Sequence, residues 1–248
     1  MKKLLKPKYL PYCALILGVF GFLSMYWLHA TGVDQRSLLD PFHPGAILTW
    51  LLTAVMLAAA ILLTQPLTGK LRYDRIFPAS LTGALGTAAS AVGIAITAWA
   101  ELNSKIDRII TLSGWVGLLS ALCLLYLAWC RYAKIRPQFW ARSVVLVYLM
   151  LHLLCRYRTW SSEPELLRFF FDLAATICFL LGTYHRLAIE VGTAQRKGYL
   201  CFTMLGVFFT MAALPGSSDR AFLVGVAAWA MTDLCSLRVR KPRKQEDA

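Results

Sequence analysis

Eight apolar runs, joined by connections of at most about 14 residues, constrain this chain before any motif is considered. A helix that crosses the hydrocarbon core of a bilayer needs about 20 predominantly apolar residues. The runs 9–30, 45–64, 78–100, 109–129, 139–155, 166–185, 199–214 and 221–237 approach that length. The expected fold is all-α: a polytopic transmembrane helix bundle of about eight membrane-spanning helices. It would form a single integral-membrane domain over 1–248, with no soluble domain and a basic cytoplasmic tail at 238–248. Composition points the same way. Hydrophobic residues make up 58% of the 248 and charged residues 16%, against roughly 45–50% and about 25% in soluble domains. So few charges cannot cover a surface facing water on all sides. No connection is long enough for a soluble catalytic domain, which needs about 50 residues.

The fifth run is the weakest. Its charge-free part, Ser143 to Cys155, spans only about 20 Å as a helix. Starting at Phe139 lengthens it but places Arg142 inside, where its side chain is expected to snorkel to the headgroups. The lysines at 2, 3, 6 and 8 resemble the start of a signal peptide. No A-x-A pattern follows the first apolar run, so a retained helix is expected.

Charge gives the orientation. With both termini in the cytoplasm, the inner segments 1–8, 65–77, 130–142, 186–198 and 238–248 hold 19 of the 26 Lys and Arg residues. Cytoplasmic loops carry such an excess. The formal net charge of +13 is thereby accounted for without nucleic acid. The expected partners are the lipid bilayer, anionic lipids at the C-terminal tail, and a further membrane protein subunit. Trp27, Trp50, Trp99 and Trp115 fall near the outer ends of helices, and Trp129 and Trp140 near inner ends, as an interfacial belt requires.

Motifs for known chemistries are missing. Thr68-Gly69-Lys70 lacks the upstream glycine and following hydroxyl of a phosphate loop. There is no H-E-x-x-H and no G-x-S-x-G. No cofactor or metal is expected and no catalytic residue is assigned. The seven cysteines show no C-x-x-C pair. Cys13, Cys130, Cys201 and Cys235 fall near inner helix ends but read as apolar filler. The third run carries small residues four apart, including Gly86, Ser90, Ala89, Gly93 and Thr97, which suits a close helix crossing.

Ionisable residues inside membrane spans are functional candidates by default. Arg168 and Asp172 share a face at i and i+4 at the outer start of the sixth run. His152 lies at the same level, as do His29, His43, Asp40 and Glu101. Asp233 lies near the inner end of the eighth run, where it is expected to pair with Arg238 or another inner base. Asp172 and Asp233 sit at opposite depths, so no aspartyl dyad is expected. Arg186 and Glu190 read as a solvated i, i+4 pair. The candidate substrate- or ion-binding residues are thus Arg168, Asp172, His152 and Asp233.

Three functions fit these features. The leading reading is a permease, or the membrane subunit of a transporter, in a bacterial cell membrane. The alternative is a non-catalytic sensor, accessory or assembly subunit of the cell envelope. The third is an intramembrane enzyme on lipid-linked substrates, with Arg156, Arg158 and Arg168 gripping phosphate.

Overall fold

The computed structural model describes residues 9–32, 39–40, 42–65, 80–104, 107–161, 166–193 and 196–236, with the backbone alone at 166–168. These residues form eight α-helices and no β-strand: α1 Leu10–Thr31, α2 Pro44–Thr64, α3 Leu81–Ser104, α4 Arg108–Tyr132, α5 Phe139–Trp160, α6 Leu166–Val191, α7 Arg196–Ala213 and α8 Arg220–Ser236. Five of them, α1 to α5, are long and apolar enough to cross a membrane. The basic tail from Arg238, the N-terminal lysines and Pro78 lie outside the described residues.

Local sequence fixes several helix starts. Ser80 Oγ accepts from the Gly83 amide at 3.0 Å and caps α3. His43 caps α2 through the Gly45 amide, and Asp107 caps α4 through that of Ile109. Such side chains satisfy amides that a helix N-terminus leaves without partners. Inside the helices, the Thr49, Thr53, Thr87, Thr97, Thr203 and Thr210 hydroxyls donate back to the carbonyl four residues earlier. These hydroxyls can therefore be buried without needing water.

The helices form a bundle with α7 and α8 towards its interior. Helix α7 packs against α1, α2, α6 and α8, and α8 against α3 and α7. No residue of α7 is exposed, and a helix that is apolar all round belongs in a core. The shorter α7 and α8 spend their apolar surface on protein, whereas α1 to α5 present long apolar side chains outwards. Trp27, Trp50, Trp99, Trp115, Trp129 and Trp140 are all exposed, while Trp160 and Trp229 are buried.

The small-residue face of α3 lies against α8. A Cβ on Gly93 would sit 2.4 Å from the Ala221 carbonyl oxygen and 3.1 Å from the Gly225 Cα. Only glycine permits that backbone approach, the usual role of small residues four apart in membrane helices.

The fifth helix starts at Phe139, as the longer form of that run has it, and α5 runs for 22 residues. One expectation is corrected. Arg142 does not snorkel: it is 1% exposed. The cause lies in α6, which continues past His185 to Val191 and sets Glu190 beside the Arg142 guanidinium.

Candidate functional site

Helices α4 and α6 run past their apolar segments, and their last turns carry Arg131, Arg186 and Glu190. Two buried polar clusters form, one at each end of the bundle, and α8 contributes to both.

The first centres on Asp233, near the end of α8. Its carboxylate pairs with Arg131 of α4 and with Arg186 of α6. It also accepts the Tyr199 hydroxyl of α7 at 2.7 Å. The other face of the Arg131 guanidinium donates to Ser236. Beside this group, Arg142 Nε donates to Glu190 Oε1 at 2.8 Å, and Arg136 donates to the Glu190 carbonyl at 3.2 Å. The Arg142 and Arg186 guanidiniums lie 6.0 and 5.6 Å from the Trp229 ring centroid, within reach of the cation–π attraction of an indole face. Arg131, Arg142, Arg186, Asp233 and Glu190 are buried, whereas Arg136 is exposed. Gly83 of α3 makes room here: a Cβ there would meet the Arg131 guanidinium. A narrow cleft opens beside the cluster among α6, α7 and α8, lined among others by Thr183, Arg186, Tyr199, Thr203, Trp229 and Asp233.

The second cluster lies at the other end. His152 of α5 bridges two acids: Nδ1 is 3.0 Å from Glu101 of α3, and Nε2 is 3.9 Å from Asp219 before α8. Arg156, one turn along α5, pairs with the same Asp219 carboxylate and lies 5.8 Å from the Trp160 ring centroid. Asp172 is buried beside Ser217, near Asp219 and Arg156. This cluster holds three acids, one arginine and one histidine among the described residues. From Asp219 to Asp233, α8 bridges the clusters over about 21 Å at the helical rise.

Of the sequence candidates, His152 and Asp172 fall in one cluster and Asp233 in the other, and no dyad joins Asp172 to Asp233. The Arg168 side chain lies outside the described residues. Asp172 faces Ser217, Asp219 and Arg156. Arg238 also lies outside them; Asp233 pairs with Arg131 and Arg186, two inner-end bases. Arg186 and Glu190 are not a solvated pair: both are buried, and each turns to a different partner. Of the outer-level histidines, His152 meets Glu101 of that group. His43 caps α2 and lies 3.2 Å from Thr31, and Asp40 accepts from the Phe42 amide. Among the described residues, no three His, Cys, Asp or Glu side chains are placed to hold a metal ion, and the seven cysteines are free. Sequence reasoning missed Arg131, Tyr199 and Asp219 as site residues. The recoverable signal was a charge within one turn of nearly every apolar run; Tyr199 gave none.

No protein-family model matches the chain, and no curated protein or solved structure matches it either.

Proposed function

We propose that the chain is a small multi-pass permease, or the membrane subunit of a transporter, with eight crossings and both termini in the cytoplasm of a bacterial cell. One observation carries this reading. A cleft inside a largely apolar bundle is lined by Arg186, Asp233, Tyr199 and Trp229. Ionisable groups at such positions are costly in a membrane and mark pathways for ions or polar substrates. The second cluster supports the reading too. Ion pairs hold both ends of α8, and breaking either set would open the bundle at that end only, the geometry that alternating access requires.

A sensor or accessory subunit is the second reading, favoured by the mutual pairing of charges in both clusters. An enzyme on lipid-linked substrates is third. Uptake of labelled small solutes into vesicles containing the purified protein discriminates among them. The permease reading expects uptake above that of protein-free vesicles, abolished by Asp233→Asn. No uptake of any solute, with a stable partner copurifying from native membranes, would replace it with the accessory reading.

A further inference from the structure

His152 stands between two acids, and its two ring nitrogens meet them differently. Nδ1 lies 3.0 Å from Glu101 Oε1, within hydrogen-bond distance, whereas Nε2 lies 3.9 Å from Asp219 Oδ2, beyond it. A carboxylate only accepts, so Nδ1 carries a hydrogen and donates it to Glu101. The hydrogen on Nε2 is optional. In neutral imidazole this nitrogen turns a lone pair towards Asp219, and in imidazolium it is a second donor. Both His152 and Glu101 are buried. Among the described residues, Glu101 has one ion-pair partner, His152, and its Oε2 is buried without a donor. A buried carboxylate is costly without an opposing charge, and a proton on Nε2 supplies one.

The neighbouring groups are otherwise engaged. Arg156 turns to Asp219, and Asp172 of α6 lies beside Ser217. Tyr148 and Phe222 pack 5.6 and 4.5 Å from the imidazole, ring centre to ring centre. On the α4 side, the Cys155 thiol meets the Ile109 carbonyl, and Asp107 pairs with Arg158.

We infer that His152 is a proton-binding site that closes this end of the bundle. A proton from water adds to the Nε2 lone pair. The imidazolium then donates to Glu101 and Asp219 together and clasps α3 and the start of α8 to α5. Loss of that proton turns the lone pair back to Asp219 and releases the start of α8. Imidazole is the side chain whose charge ordinarily changes between about pH 5 and pH 8. As a clasp the site stands by itself. As the site of the ion that drives transport it rests on the permease reading and makes that permease proton-coupled.

The test uses the full-length protein in nanodiscs, with its histidines labelled with nitrogen-15, titrated from pH 5 to pH 8. The resonances missing from His152→Gln are those of His152. The expected result is a protonation step at Nε2 within that range, with Nδ1 protonated throughout. Spin labels at Ser104→Cys and Arg220→Cys, exposed positions close to Glu101 and Asp219, read the clasp once the native cysteines are replaced. Their separation should be longer at pH 8 than at pH 5, and this response should be lost in His152→Gln. Glu101→Gln removes the buried charge that the proton offsets and should lose the response as well, which keeps the test alive if His152→Gln does not fold. An Nε2 that keeps one state from pH 5 to pH 8, a separation that ignores pH, or an undiminished response in both variants overturns the site. In the vesicle assay, an inward proton gradient should accelerate solute uptake, and His152→Gln should abolish the acceleration. A pH-dependent separation with uptake of no solute keeps the clasp and overturns the permease reading. Uptake indifferent to the gradient keeps that reading and overturns the coupling.

Discussion

Replacing Asp233 by Asn should be among the most costly single changes in the chain. The residue is 1% exposed, and its carboxylate receives two guanidiniums and a phenol. Asparagine keeps one acceptor oxygen, but its amide turns a donor towards donors. Arg131 and Arg186 then remain buried without their counter-ion. Removing one partner of a buried ion pair costs about 3–5 kcal/mol, and here one carboxylate serves two cations. At about 1.4 kcal/mol per decade, that is two to three and a half orders of magnitude in the unfolding equilibrium. Unfolding in mixed dodecylmaltoside and sodium dodecyl sulfate micelles, followed by tryptophan fluorescence, reads this directly. Adding Arg186→Gln removes one of the stranded cations and should recover a substantial part of the loss, because deleting both members of a buried pair is often nearly neutral. A change below about 1 kcal/mol, the scale of exposed ion pairs, would refute the reasoning. It would mean that the cluster is hydrated.

Three further outcomes are expected. Gly93→Leu forces α3 from α8, because even a Cβ meets the Ala221 carbonyl; overpacking of about 1–3 kcal/mol or more should appear in the same unfolding assay, while Val92→Leu, on the exposed side of α3, should be silent. Cysteines placed in 31–44 should react with an impermeant thiol reagent added outside intact cells and those in 66–77 should not; outside labelling of 66–77 would invert the proposed orientation. Truncation after Leu237 should leave a thermal unfolding transition in detergent, and its loss would show that the basic tail packs on the bundle.

The fold was legible because hydrocarbon solvent imposes a length on every crossing. The run 45–64 is almost free of polar groups, and α2 spans Pro44–Thr64. The site was less legible because its residues sit where two explanations of a charge compete. Arg131, Arg142 and Arg186 all belong to segments counted as basic and inner, and sequence position alone makes them orientation signals. In the structure α4 and α6 continue about one or two turns beyond their apolar runs, so Arg131 and Arg186 turn inwards onto Asp233, and Glu190 reaches Arg142 in the first turn of α5. Glu190 illustrates the difficulty: four residues from Arg186, it suggests a local surface pair, yet its partner is Arg142, 48 positions away. Pairings of that kind depend on which helices are neighbours, and hydropathy does not record this. Asp172, by contrast, was recognisable as a buried acid from its place inside an apolar run. Its neighbours Ser217 and Asp219 come from a turn that reads only as a connection.

The central claim is that the cleft beside Asp233 forms part of a route across the membrane. Cys178 lines that cleft, so the chain carries its own reporter. With the other six cysteines replaced, a water-soluble thiol reagent should modify Cys178 when added to either side of oriented vesicles. Transported cargo should slow both reactions. Modification from one side only under every condition, or from neither, would contradict alternating access and leave the cluster as a fixed structural element.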